Sequence, residues 1–192
     1  KSEHPLARAM VEYITEQHIP AIEPLSFKAE FGKGIIGRTK GKSYAIGNAL
    51  LMEERTISLR SWEKEMHALE KQGKTVIAIA EGKTILGMIA IADVPRPTAK
   101  STVTALRAKG IEVWMMTGDN ERTANAIAQQ LGILHVFAQV LPEQKAERIK
   151  ELQHKGKKVA FVGDGVNDAI ALAQSDLGIA MGKGTDIAIE SG

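Results

Sequence analysis

The stretch FVGDGVNDAIAL, residues 161–172, sets two carboxylates, Asp164 and Asp168, four positions apart at the end of an apolar run. Asn167 lies between them, and Gly163 and Gly165 bracket the first acid. Paired carboxylates are hard oxygen donors of the kind that hold Mg²⁺ while waters and phosphate complete its shell. The glycines let the backbone turn tightly and come close to a phosphate. Asn167 offers an amide donor to a phosphoryl oxygen. A second acidic turn, TGDN at 117–120, also follows an apolar run. It adds the Thr117 hydroxyl, the Gly118 amide and the Asp119 carboxylate. Lys145, in LPEQK, opens a helix after another strand and supplies a cation for phosphate charge. Aspartates at such places also cap the helix that follows, and for either turn alone that reading competes. Two such turns and a lysine, all at strand ends of one sheet, favour phosphate chemistry.

These residues need a parallel sheet to bring them together, and the second half of the chain has its pattern. After DVPRP, helix TAKSTVTALRAKG leads to strand IEVWMM, the TGDN turn and helix ERTANAIAQQLG. Strand HVFAQV, helix PEQKAERIKELQHKG, strand KKVAFV and a last strand LGIAM follow. Strands alternating with helices of this length build a parallel α/β sheet, whose ligands bind at the carboxyl ends of the strands. The first half reads differently. HPLARAMVEYITEQH predicts a helix with Leu6, Ala9, Met10, Tyr13 and Ile14 on one buried face. Gly32, Gly34 and Gly37 match G-x-G-x-x-G, but that fingerprint requires a helix after the glycines. Here IIGRT, a turn at 40–42 and SYAIG form a hairpin pattern instead, which excludes a dinucleotide fold. A helix is expected over Thr56–Lys71, then two strands, KTVIAIAE and TILGMIAIAD. The expected domains are residues 1–91, an antiparallel sheet with helices, and 92–192, the parallel sheet.

Composition narrows the function classes. Apolar residues are 44% and charged residues 25% of the 192, the balance of a globular protein. A net charge of +2 and the lack of a basic block argue against a nucleic-acid partner. Without cysteine there is no disulfide and no thiolate metal site, and the five histidines lack ligand spacing. No apolar run approaches the roughly 18 residues of a membrane span. The chain opens KSEHPL, without methionine, as an excised piece would.

TGD, the lysine of LPEQK and GDGVNDAIAL resemble, in order and spacing, the phosphorylation domain of P-type ATPases, within the haloacid dehalogenase superfamily. DVPRP resembles that family's hinge, and SEHPLA, GKG and IGN resemble nucleotide-contacting segments of its heavy-metal-transporting branch. SEHPLA, IGN and AIESG look more like copper transporters than zinc or cadmium ones. The resemblance implies a nucleotide-binding domain followed by a Rossmann-like phosphorylation domain. That domain would lack its first, aspartate-bearing strand, so the structure is expected either to contain that strand as a separate segment or to show a gap beside VAFV at 159–162. It further implies an ATP site of Glu3, His4, Gly32, Gly34, Gly47 and Asn48. A phosphoryl site of Thr117, Gly118, Asp119, Lys145 and Asn167 would have Mg²⁺ on Asp164, with Asp168 ligating or supporting. Arg96 would reach a nucleotide phosphate or simply stand exposed at the hinge. The implied protein works at the cytoplasmic face of a membrane and moves a heavy-metal cation through segments outside this sequence. Two departures stand out. The phosphorylated aspartate of the family's D-K-T-G-T motif is not among these residues, nor is a nucleotide-contacting glutamate expected five residues before His4. Ile170 replaces the usual proline after GVNDA. A free-standing phosphatase of the same superfamily and a nucleotide-sensing module are the competing functions.

Overall fold

A computed structural model describes residues 5–20, 23–30, 32–92, 94–163 and 168–181, with the backbone alone for 5–10. The chain divides into two compact units, Lys1–Arg96 and Pro97–Gly192.

In the first unit, helix α1 (Pro5–Glu16) begins on a proline, whose fixed φ and missing N–H suit a first turn. Its expected apolar face does not hold at Tyr13, which is 62% exposed, as is Val11 at 60%. Periodicity marks a face that can be buried, but burial needs a covering surface, and these side chains find none among the described residues. Leu6, Ala9 and Met10 lie where side chains are not described.

Five antiparallel strands follow in spatial order β1-β2-β3-β4-β5. They are β1 (Ser26–Glu30), β2 (Gly34–Thr39), β3 (Lys42–Gly47), β4 (Lys74–Glu81) and β5 (Thr84–Ala92). Lys40 and Gly41, with φ of 45° and 79°, close the tight β2–β3 hairpin, whose primed turn matches the twist of the strands. The helix expected over Thr56–Lys71 is helical only as α3 (Glu63–Glu70), and a further short helix, α2 (Ala49–Glu54), precedes that range. Thr56, at φ 54°, breaks the path, and the loop after it folds Ile57 into the core. Ala45, Ala78 and Ala80 give the sheet a shallow face on which Leu51, Met52 and Ile57 pack. Leu51 and Met52 are wholly buried, each a gain of about 2 kcal/mol.

The second unit runs α4 (Ala99–Ala108), β6 (Trp114–Met116), α5 (Glu121–Leu131), β7 (His135–Phe137), α6 (Pro142–His154), β8 (Ala160–Gly163), α7 (Ala169–Gln174) and β9 (Leu177–Ala180). The alternation is the expected one, and the pairings are parallel, β6 with β7 and β8 with β9. They form two separate ladders: among the described residues nothing pairs β6 with β8. Among the described residues the gap expected beside residues 159–162 is therefore present. It leaves Val162 56% and Leu177 58% exposed, unusual for a parallel sheet, which is normally covered on both faces. At the strand entrances Lys157 Nζ ties to both Glu112 oxygens, at 2.6 and 2.7 Å. Asp176, held well below the usual carboxylate range by Lys158 and then by the Val159 amide and Gln153, fastens the start of β8 to β9.

Gly34 and Gly47 face each other in the β2–β3 register. A Cβ on Gly34 would collide with the Ile46 carbonyl and lie 2.5 Å from the Gly47 Cα, at a φ of +146°. Gly34→Ala is expected to destabilise the first unit by about 3 kcal/mol in urea unfolding read by Trp62 fluorescence. Gly41→Ala, at φ +79° with nothing within 4 Å, should lose only about 1 kcal/mol. Equal losses would mean that the close approach of the two strands is not what requires the glycine.

Candidate functional site

The strand ends of the second unit carry two braced polar groups, the turn after β6 and the Lys145–Asp168 pair. β6 runs into Thr117, whose hydroxyl donates to Asp119 Oδ2 at 2.8 Å and accepts the Asp119 amide at 3.1 Å. Asp119 does not cap α5. Asn120 does so, accepting the Arg122 and Thr123 amides at 3.0 and 3.1 Å. The turn is held from the loop after the next strand: the Gln139 amide donates to the Asp119 carbonyl at 2.9 Å, and the Val140 amide to the Thr117 carbonyl at 3.0 Å. Gln139 adopts φ 55°, a left-handed conformation rare outside glycine and asparagine. No sequence signal singles out Gln139, because its contribution is a backbone amide.

Two residues beyond Val140, Pro142 opens α6, and the Leu141 amide donates to Gln144 Oε1 at 3.0 Å. Lys145 follows in the first turn. Its ammonium donates to Asp168 Oδ1 at 2.6 Å, with the two side chains only 18% and 10% exposed. Asp168 occupies the N-cap position of α7, yet its side chain makes no capping bond. The helix-cap alternative for this aspartate therefore fails on geometry: the carboxylate serves the lysine. Gly163, the last residue of β8, is what admits it. A Cβ there would lie 2.7 Å from the Asp168 Cβ and 2.8 Å from Oδ2. Thr117, Gly118, Asp119, Lys145 and Asp168 thus all stand at carboxyl ends of strands. Asp164 and Asn167 lie outside the described residues.

The first unit holds the other candidates. Gly32 (φ 68°) and Gly34 flank Lys33 at the β1–β2 turn. The Asn48 side chain donates to the Gly32 carbonyl at 2.9 Å while its Oδ1 accepts the Leu51 amide at 3.2 Å, capping α2. Its backbone amide donates to the Lys33 carbonyl at 2.8 Å. Gly47 is as crowded as Gly34, since a Cβ would lie 2.6 Å from Leu51 Cδ2. Gly32, Gly34, Gly47 and Asn48 are therefore one clasped locus. Arg96 is exposed. Glu3 and His4 lie outside the described residues.

Comparison with known proteins agrees with this architecture. The family model for haloacid dehalogenase-like hydrolases matches residues 1–176. A copper-exporting P-type ATPase of Staphylococcus saprophyticus is 45% identical over 190 residues, which are 99% of this chain and 24% of that protein. An Enterococcus hirae protein named "Probable copper-importing P-type ATPase A" is 46% identical over 192 residues, 99% of this chain and 26% of that protein. Among solved structures, the catalytic domain of the CPx-ATPase CopB-B matches at 31% identity and a TM-score of 0.74, over 99% of this chain and 67% of that one. A zinc-transporting PIB-type ATPase in its E2.Pi state matches at 34% and 0.61, over 99% and 30%. The chain belongs to the haloacid dehalogenase-like hydrolase family, and within it to the catalytic region of the heavy-metal P-type ATPases. It spans about a quarter of the length of the curated relatives it matches. Among the described residues no helix is long and apolar enough to cross a membrane.

Removing one partner of a buried ion pair strands the other's charge. Lys145→Met and Asp168→Asn, in a Trp62→Phe background that leaves Trp114 as the reporter, should each lower the stability of the second unit by about 2–4 kcal/mol. The double variant should lose clearly less than the sum, because both charges leave together. Strict additivity in urea unfolding would show that the two side chains are not coupled.

Proposed function

We propose that residues 1–91 are the nucleotide-binding part and residues 92–192 the phosphorylation part of a copper-exporting P-type ATPase. The intact protein would couple ATP hydrolysis to cation transport through an aspartyl phosphate, at the cytoplasmic face of a membrane. The observation that carries this reading is the buried Lys145–Asp168 pair at 2.6 Å at a strand end. A lysine held there, in a unit whose other strand-end turn carries a hydroxyl and a glycine amide, suits a phosphoryl group better than it suits fold stability, which a buried ion pair seldom improves. Copper is read from relatives at 45–46% identity, against 34% for the zinc transporter.

In this reading Lys145 offsets the charge of the transferring phosphoryl group. Asp168 is a positioning residue: it fixes the ammonium and shields it from water. Thr117 donates to a phosphoryl oxygen. To do so it turns its proton from Asp119 Oδ2, since a hydroxyl has one proton to give. Gly118 leaves room for close approach, as a Cβ there would meet only the Val140 carbonyl, at an ordinary 3.6 Å. Asn167 is a second donor. A carboxylate's hard oxygens fit Mg²⁺, but Oδ1 of Asp168 is taken up by the lysine. By the family resemblance Asp164 is the residue assigned to hold the ion, with Asp168 supporting that site or ligating through its other oxygen; the ion when bound would neutralise phosphate charge. ATP is assigned to Glu3, His4, Gly32, Gly34, Gly47 and Asn48, with the transported cation handled by segments outside this sequence.

Two measurements test the proposal. In the full-length protein that contains this chain, acid quench with labelled ATP should give a phosphoenzyme, and Asp164→Ala should slow its formation by about 10²–10³ or more. Undiminished labelling in the variant would remove Asp164 from the site, and the 192-residue chain alone should take no label. On that chain, calorimetry should detect ATP binding that His4→Ala weakens by about 1–2 kcal/mol, the scale of one stacking or polar contact. An unchanged affinity would release His4 from its assignment.

A further inference from the structure

Lys33 stands between Gly32 and Gly34, and the reading above gives it no role. Its backbone is fixed: the amide donates to the Glu30 carbonyl at 3.0 Å, and the carbonyl accepts the Asn48 amide at 2.8 Å. Its side chain reaches Glu54, near the end of α2, with Nζ 2.6 Å from Oε1. The two side chains are 35% and 54% exposed. Solvent screens such a pair, and two flexible side chains must be held still to make it, so it is held weakly. The neighbouring cations are engaged elsewhere, since Lys28 and Arg55 both reach Glu30, at 3.0 and 3.4 Å.

We propose that Lys33 is a phosphate-contacting residue of the nucleotide site, parked on Glu54 until a nucleoside polyphosphate displaces the carboxylate. The proposal rests on the reading of Gly32, Gly34, Gly47 and Asn48 as nucleotide residues. Three features carry it. The ammonium is a compact charge on a rotatable stem whose pivot is locked in the centre of that locus. A triphosphate presents several negative charges where Glu54 presents one, so exchange of partners is electrostatically favourable. Glu54 belongs to the helix that Asn48 caps, and Asn48 also clasps the Gly32 carbonyl, so the competing carboxylate is anchored against the same turn. Glu54 thus acts as a built-in competitor for the phosphate.

A purely architectural salt bridge would behave differently, because loss of either partner would loosen the turn in the same way. Calorimetric titrations of the 192-residue chain with ATP and with adenosine separate the two. Lys33→Gln should weaken ATP roughly ten- to a hundredfold, the scale of one charge-assisted hydrogen bond. It should leave adenosine unchanged, and Lys33→Arg should retain most of the affinity. Glu54→Gln should tighten ATP by about two- to threefold, because the resting competitor is gone. Lys33→Gln with wild-type ATP affinity overturns the inference. So does a fall in ATP affinity in both single variants, or a parallel loss of adenosine binding. If the wild-type chain binds no ATP, the nucleotide reading falls and this inference with it. If it binds ATP and only Lys33→Gln is silent, this inference falls alone.

Discussion

One hydrogen bond, from the Lys145 ammonium to Asp168 Oδ1, dictates much of the second unit. An ion pair this buried is tolerated only when its geometry is fixed on both sides. On one side, Pro142 and the Gln144 bond to the Leu141 amide set the first turn of α6. On the other, Asp168 gives up the N-cap role, and α7 begins without a side-chain cap, which typically costs about 1 kcal/mol. The burial of Ala171 and Leu172 offsets that cost. Gly163 follows from the same bond, because any side chain there would occupy the space of the Asp168 carboxylate.

The first unit solves a similar problem without charge. Gly34 and Gly47 bring β2 and β3 together so closely that neither tolerates a side chain, and the approach leaves the 32–34 turn against the start of α2. Asn48 joins the two by serving at once as helix cap and as donor to the turn. The crowding is internal, so the protein's own packing accounts for Gly34 and Gly47 whatever ligand is assigned there. What the glycines contribute is rigidity of the turn on which Gly32 and Lys33 stand.

The alternation of strands and helices was legible because each element carries its own period, and the hairpin reading of residues 34–47 followed from the absence of a helix after the glycines. The helix expected over Thr56–Lys71 forms only from Glu63, for a reason that periodicity does not record. Ile57 is drawn into a tertiary core, and Thr56 takes a left-handed backbone to allow it. Tyr13 failed in the opposite sense, since its amphipathic face needs a partner surface that the pattern alone does not guarantee. At the site, the side-chain chemistry of Thr117, Lys145 and Asp168 was visible as residue types. Two things were not visible. Which of its two open roles Asp168 takes, ligand or support through Lys145, is a matter of distance across 23 residues. The TGD turn is braced by Gln139 and Val140, whose main-chain amides are the same in every non-proline residue.

The interrupted sheet explains why this bracing matters. A two-stranded ladder has little stability of its own, and β8 and β9 leave apolar side chains uncovered. Were the strand ends positioned by the sheet alone, the site would loosen wherever the ladder is broken. Instead each polar residue is held by short bonds from its own turn or from the turn after the next strand. Thr117 is held by Asp119, the 117–119 turn by Gln139 and Val140, and Lys145 by Asp168. Lys157 and Glu112 link the strand entrances at the opposite end. The local order of the site therefore depends on crossover turns more than on continuous strand pairing, and geometry at each strand end persists although no ladder joins β6 and β8 among the described residues.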